Sequence, residues 1–281
     1  MKYGCRAHDL GRYPAAELAR RLRQSGCNAA QLTLPKAIAG IDGYDDIRPD
    51  QLEAVRTAFA EVEISVMGCY QDLSCADEDQ RRRAVDTVCR ALGCGKAVGA
   101  KSVGSESACR DLTHEEKLAA IPRLTDSVLR IVERAAALDM VFAIEPVFHH
   151  VFYGPEVLDH LLNTVADPVH LKVIFDPVNL FTTKDAQNAA FQAEHWKSWL
   201  AVIGKQLGAM HCKDCRIEPD GSKTLVGLGK GQMDYAPILD WLAQYAPETP
   251  LIRDEVILEC APADIKILHQ MQQSIEEKRM K

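Results

Sequence analysis

The sequence predicts a closed (β/α)8 barrel, and three observations carry that expectation. Eight apolar runs with strand-forming residues recur at 3–7, 29–34, 63–70, 100–105, 140–147, 171–176, 207–212 and 251–256. Their centres lie roughly 27 to 43 residues apart, the length that a strand, a helix and two short loops require. Polar and ionisable residues gather at the ends of these runs rather than at their beginnings, which is where a parallel barrel carries its open mouth. An open doubly wound sheet would place a glycine-rich phosphate turn after the first strand, and Asp9-Leu10-Gly11-Arg12-Tyr13-Pro14 offers none.

Taken in order, the first two helices are expected near 14–24 and 49–60, and a longer Arg-rich one, exposed on one side, near 76–92. In the fourth helical stretch Ile121, Leu124, Val128, Ile131, Val132 and Ala135 share one face at a 3.6-residue period. Thr113-His114-Glu115-Glu116 resembles a capping box at its start, while Pro122 predicts a kink or a later beginning. Pro155 and Pro262 suit first-turn positions of later helices. No low-complexity stretch or Pro/Gly-rich linker divides the chain, so one domain is expected over 1–281.

The 281 residues are 47% hydrophobic and 26% charged, an ordinary globular composition with enough chain for a large core. A net charge of −7 and a pI near 5.7 argue against a polyanionic partner, so nucleic acid is not expected. Neither a signal peptide nor a membrane span is evident, and a cytoplasmic protein is expected. The ten scattered cysteines are expected to be reduced, several of them buried as small hydrophobes.

The chemistry is concentrated where Val141-Phe142-Ala143-Ile144-Glu145-Pro146-Val147-Phe148-His149-His150 ends a strand in a carboxylate, a proline and two imidazoles. The runs ending at Asp176, His211 and Glu255 repeat the design. One Glu at a strand end is more often a solvated surface residue than a ligand, by roughly three to one. Four such residues in order reverse those odds, and they offer Glu145, Asp176, His211 and Glu255 to one hard or borderline divalent cation. Such a cation polarises a carbonyl and a neighbouring hydroxyl, stabilising the enediolate formed when an α-proton is removed. Glu145 and Glu255 would then pass a proton off one face of a substrate and onto the other.

His149, His150, Asn179, Lys213, Asp214, Arg216 and Glu106 are candidates to hold substrate hydroxyls, a carboxylate or a phosphate. For the two histidines an exposed turn or a packed neutral ring is an equally good account. Lys213 and Asp214 also fit an ion pair behind His211. Cys212 and Cys215 have CxxC spacing, but no second ligand pair accompanies them, and Cys212 is expected to face away from the pore. Tyr70, Phe148, Phe152 and Tyr153 are candidates for the pocket wall.

Val66-Met67-Gly68-Cys69-Tyr70, Lys101 to Ser107, Ile144-Glu145-Pro146, Phe175-Asp176-Pro177-Val178-Asn179, Met210-His211-Cys212-Lys213-Asp214 and the glycine-containing segment Val226 to Tyr235 stand in a telling order. In that order and spacing the chain resembles the sugar phosphate isomerase/epimerase superfamily, the xylose isomerase-like TIM barrels. The resemblance implies that Glu145, Asp176, His211 and a strand-eight carboxylate hold one divalent metal per chain, Mn²⁺ first, with Mg²⁺, Co²⁺ or Zn²⁺ as alternatives. It implies isomerisation or epimerisation of a keto-sugar, hydroxy-carbonyl acid or cyclitol. Strand eight departs from the pattern: apolar residues usually precede a single Glu, whereas this chain has Arg253-Asp254-Glu255 and then Glu259. Glu255 is favoured, and a one-residue slip would bring Asp254 inward instead. The His that often follows the strand-six Asp by three residues is replaced here by Asn179, which cannot act as a base.

Dehydration at the same metal site, as in inosose dehydratase, is the first rival. A metal-free sugar-binding barrel is the second. A nuclease like endonuclease IV is the third, and it would need more ligands, His8 among them, and a basic surface. Pairing of barrels is left open, because no helix face stands out as an interface.

Overall fold

The computed structural model describes residues 2–280. Each apolar run becomes a barrel strand: β1 (Tyr3–Arg6), β2 (Ala29–Leu32), β3 (Glu63–Gly68), β4 (Val103–Glu106), β5 (Phe142–Glu145), β6 (Leu171–Phe175) and β7 (Leu207–Cys212). A short hairpin, β8 (Asp214–Ile217) and β9 (Lys223–Val226), precedes the eighth barrel strand, β10 (Leu251–Arg253). The eight barrel strands run parallel in sequence order, and β10 pairs with β1 to close the ring. Closure leaves no sheet edge and turns every strand's C-terminal end to one mouth.

The helices that cover the ring are α1 (Ala15–Gln24), α3 (Pro49–Ala58), α4 (Glu78–Val98), α5 (His114–Leu138), α6 (Pro155–Val165), α8 (Ala189–Ile203), α9 (Ala236–Tyr245) and α10 (Ala261–Arg279). Single-turn helices α2 (Leu34–Ala37) and α7 (Pro177–Leu180) follow β2 and β6 at the mouth. Leu22, Val88, Leu92, Val128, Ile131, Leu161, Trp196 and Leu268 fill the shell between strands and helices. Inside the ring Val66, Ala143, Ile174 and Ala209 form a separate cluster. Gly104 belongs to that layer by necessity, since a Cβ there would stand 2.7 Å from Ile174 Cδ1 and 2.8 Å from Val66 Cγ1.

The capping box of α5 forms as the sequence indicates, with Glu116 N donating to Thr113 Oγ1 at 3.3 Å and Thr113 N to Glu116 Oε2 at 2.8 Å. The helix does not wait for Pro122 but runs through it. Pro122 forgoes only the bond to the carbonyl of Leu118, whose side chain is 48% exposed, so water can replace that bond. The β8–β9 hairpin was not expected from the sequence, although Pro219-Asp220-Gly221 is a turn signal. All ten cysteines carry free thiols. Among the described residues no helix is long and apolar enough to cross a membrane.

Candidate metal centre

Four strand ends bring Glu145 (β5), Asp176 (after β6), His211 (β7) and Asp254 (after β10) together, all buried, with one ligand atom of each within 4.8 Å of the others. His211 Nδ1 lies 3.3 Å from Glu145 Oε1 and 3.8 Å from both Asp176 Oδ2 and Asp254 Oδ2. Asp176 caps α7, its Oδ1 accepting from Val178 N at 2.9 Å and Asn179 N at 3.2 Å. That arrangement aims the buried Oδ2 at the cluster, where no hydrogen bond of ordinary geometry reaches it and the Lys213 ammonium, 3.1 Å away, offsets its charge. Three carboxylates, one imidazole and an under-satisfied buried oxygen fit a divalent cation of the Mg²⁺, Mn²⁺, Co²⁺ or Zn²⁺ group.

The Lys213 ammonium stands beside the same carboxylates, 2.8 Å from Asp254 Oδ2, 3.1 Å from Asp176 Oδ2 and 3.4 Å from Glu255 Oε2. Burial by itself would lower its pKa, but Asp176 and Asp254 raise it well above the ordinary lysine value. Burial pushes Asp254 upward, yet Lys213, His211 and Arg6 outweigh it and hold this carboxyl well below the usual range. Burial likewise opposes the charge on His211, and Glu145 and Asp254 override it, raising the imidazole to about 9. Such a basic site is built to hold positive charge among its carboxylates.

Strand eight resolves on Asp254 rather than Glu255 as the member of this group. Side chains alternate along β10, so Ile252 and Asp254 share one face while Arg253 turns to the other. There Arg253 Nε meets Asp264 Oδ2 of α10 at 2.6 Å, both side chains fully buried. Beyond Asp254 the chain leaves the extended conformation: Glu255 has φ +52°, and its side chain is 40% exposed. Glu255 therefore lines the cavity above the cluster instead of entering it. Glu259 is exposed and does not line that cavity.

The cavity of about 390 Å³ is lined by Arg6, His8, Lys36, Tyr70, Glu106, Glu145, Val147, His150, Asn179, Lys213, Asp254 and Glu255. Asn179 Nδ2 donates to Glu145 Oε1 at 2.7 Å, and its Oδ1 accepts from Lys213 Nζ at 3.3 Å. Glu106 and His150 face each other at 3.6 Å on the wall beside β4. Burial first, and Glu145 second, raise the Glu106 carboxyl to about 8. Three of the polar sequence candidates fall outside the cavity: His149 is exposed, Arg216, also exposed, donates to the carbonyl of Lys230, and Asp214 turns to backbone. Of the aromatic wall candidates Tyr70 lines the cavity, while Phe148, Phe152 and Tyr153 do not.

Asp214 makes no ion pair with Lys213 but binds backbone, accepting from Gly231 N at 2.9 Å and Met233 N at 3.2 Å in the glycine segment and from the neighbouring Cys215 N at 2.9 Å. A Cβ at Gly231 would come within 2.1 Å of Asp214 Oδ1, so glycine is required for that approach. Cys212 is buried in the outer shell, away from the pore. Sequence reasoning missed Arg6 and Lys36, and it missed Gln31, which binds His211 Nε2 at 2.5 Å and Tyr70 Oη at 2.8 Å. The one available signal was an amide inside the otherwise apolar run Ala29-Ala30-Gln31-Leu32.

A family model described as a xylose isomerase-like TIM barrel matches residues 19–256. The chain belongs to the xylose isomerase-like TIM barrel family. Among solved structures this xylose isomerase-like barrel is similar to a D-tagatose 3-epimerase-like protein, with 16% identity, a TM-score of 0.77 and 99% of each chain covered. It is also similar to IolI protein with a binding zinc atom, with 16% identity, a TM-score of 0.69 and 99% and 96% of the two chains covered. A xylose isomerase-like TIM barrel protein from Mycobacterium smegmatis in complex with magnesium matches at 15% identity and a TM-score of 0.71, over 98% and 94% of the chains. At these identities the likeness is one of fold. No curated protein sequence matches.

Proposed function

We propose that this barrel is a divalent-metal-dependent enzyme that isomerises or epimerises a keto-sugar, a hydroxy-carbonyl acid or a cyclitol by proton transfer at its mouth. The observation that carries the reading is the convergence of Glu145, Asp176, His211 and Asp254 within 4.8 Å, below a polar cavity large enough for a small sugar. These four would hold one cation per chain, Mn²⁺ first among the candidates. When bound, the cation makes the proton between a carbonyl and its neighbouring hydroxyl acidic. Fold relatives with zinc or magnesium, and one described as 3-epimerase-like, support the metal and the substrate class.

Within this reading Glu145 takes the proton on one side, its orientation fixed by Asn179 and by Tyr70 Oη, which donates to Oε2 at 3.2 Å. Asp254 stays an anion because three cationic groups hold it so, and the second proton-transfer role falls to Glu255 on the cavity wall. Lys213, Asn179 and His150 orient substrate hydroxyls. Free thiols throughout the chain suit a reducing, cytoplasmic setting.

A second reading, elimination of water at the same site, is favoured by one observation. Glu106, raised to about 8, is a carboxylic acid near neutral pH and could protonate a leaving hydroxyl.

The test has two stages. Metal content per chain is measured in protein purified without chelator and in Glu145→Gln/His211→Gln protein; about one metal that disappears in the variant supports the site. The loaded enzyme is then incubated with keto-sugars and cyclitols in D₂O and followed by proton NMR. Deuterium entering an α-position supports isomerisation or epimerisation, and loss of water supports the second reading. Protein that binds metal and sugar but exchanges no proton would overturn both in favour of a binding barrel.

A further inference from the structure

We propose that Gln31 on β2 is the positioning residue that fixes which nitrogen of His211 faces the metal site. The inference rests on His211 being a ligand, as argued above, and goes beyond it by assigning a role to a residue of β2, which β1 and β10 separate from β7 in the ring. Gln31, 1% exposed, reaches His211 Nε2 at 2.5 Å and Tyr70 Oη at 2.8 Å, and Tyr70 Oη in turn lies 3.2 Å from Glu145 Oε2.

The direction of every bond in this chain follows from its far end. A carboxylate only accepts, so Tyr70 spends its one proton on Glu145 and must accept at its oxygen. Gln31 therefore presents its NH₂ group to Tyr70 and its carbonyl oxygen to His211. A carbonyl only accepts, so His211 Nε2 carries a hydrogen, and in the neutral ring the free lone pair is on Nδ1. Nδ1 is the atom that faces Glu145, Asp176 and Asp254. The same amide thus links the orientation of two ligands, His211 directly and Glu145 through Tyr70. Pairing of β2 with β3 shifts register between Ala30 and Gln31, an irregularity of the kind that re-aims a side chain beside a functional site. Both hydrogen bonds of this amide go to side chains of the site, Tyr70 and His211.

Three variants test the assignment: Gln31→Leu, which removes both contacts, Gln31→Asn, which keeps the amide but shortens its reach, and Gln31→Glu, which keeps an acceptor for Nε2–H. Two quantities are read, the Zn²⁺ or Mn²⁺ dissociation constant and the His211 Nε2–H proton resonance, recorded with and without Zn²⁺. Wild type is expected to show a slowly exchanging, downfield Nε2–H signal. Leu and Asn should lose it and bind metal about 10- to 100-fold more weakly, the usual effect of removing a partner of a ligating histidine. Gln31→Glu should retain the signal and bind within a few-fold of wild type. Should the Leu variant fail to fold, the Asn and Glu pair still decides the matter. Leu and Asn variants with wild-type affinity and an unmoved resonance would overturn the assignment while leaving the metal site standing. Wild type that binds no metal but shows the expected resonance changes would overturn the metal reading and leave the Gln31 contact established.

Discussion

Arg253 shows how one residue can look anomalous in a sequence and be explained by a single contact. A cation in the last barrel strand interrupts an apolar run, yet it lies on the outward face, paired with Asp264 and bonded to the carbonyls of Cys212 and Val226 at 3.2 Å. Removing one partner of a buried pair leaves the other uncompensated, which costs about 3–5 kcal/mol. Asp264→Ala should lower unfolding free energy by about that amount in urea titrations; a loss of only a few tenths would show that Arg253 finds water instead. His211 carries the pH dependence. Its pKa of about 9 in the metal-free protein exceeds the ordinary 6.5, so its contribution to stability is complete below pH 6.5 and is lost as pH rises through 9. A metal must displace that proton, so affinity should rise with pH across the same window, by up to about tenfold per unit. Titration calorimetry in buffers of different ionisation enthalpy checks it: release of no proton between pH 6.5 and 8.5 would contradict the charged imidazole.

At the scale of elements, local signals and tertiary context divide the explanation. The reciprocal bonds between Thr113 and Glu116 start α5 eight residues ahead of Pro122, and Thr113→Ala should cost about 1 kcal/mol in thermal or chemical unfolding. No measurable loss would mean that packing alone holds the helix start. Strand β10 behaves differently. Its apolar character was legible, but its end was not, because the positive φ at Glu255 comes from how the chain turns over the mouth and not from any turn-forming residue. The β8–β9 hairpin lay in the sequence as a Pro-Asp-Gly turn, with Gly221 at φ +85°. It was missed because its strands are short and only partly buried, so the alternating apolar pattern is weak.

Across the whole molecule, closure of the ring makes the site. His211 meets Glu145 across 66 residues through the β5–β6–β7 pairing, and Gln31 across 180, a contact that exists only once β1 has paired with both β2 and β10. A cation bound by four strand ends of the folded ring has no counterpart in the unfolded chain. Metal at 100 times its dissociation constant should therefore add about 2.7 kcal/mol to stability and raise Tm, and a chelator should reverse it. A Tm indifferent to Mn²⁺, Zn²⁺ and chelator alike would remove the metal from the reading of this site.

The sequence by itself determined the alternation of strand and helix, the mouth at the strand ends, and three of the converging residues, Glu145, Asp176 and His211. Those are local facts, written in apolar runs that end in a ligand-forming side chain. Only the tertiary structure decided between Asp254 and Glu255, because alternation fixes which side chains share a face but not where an extended strand stops. It alone also brought Gln31 to His211, since a partner from a non-adjacent strand of a closed ring leaves no mark in the neighbouring sequence beyond one amide among apolar residues.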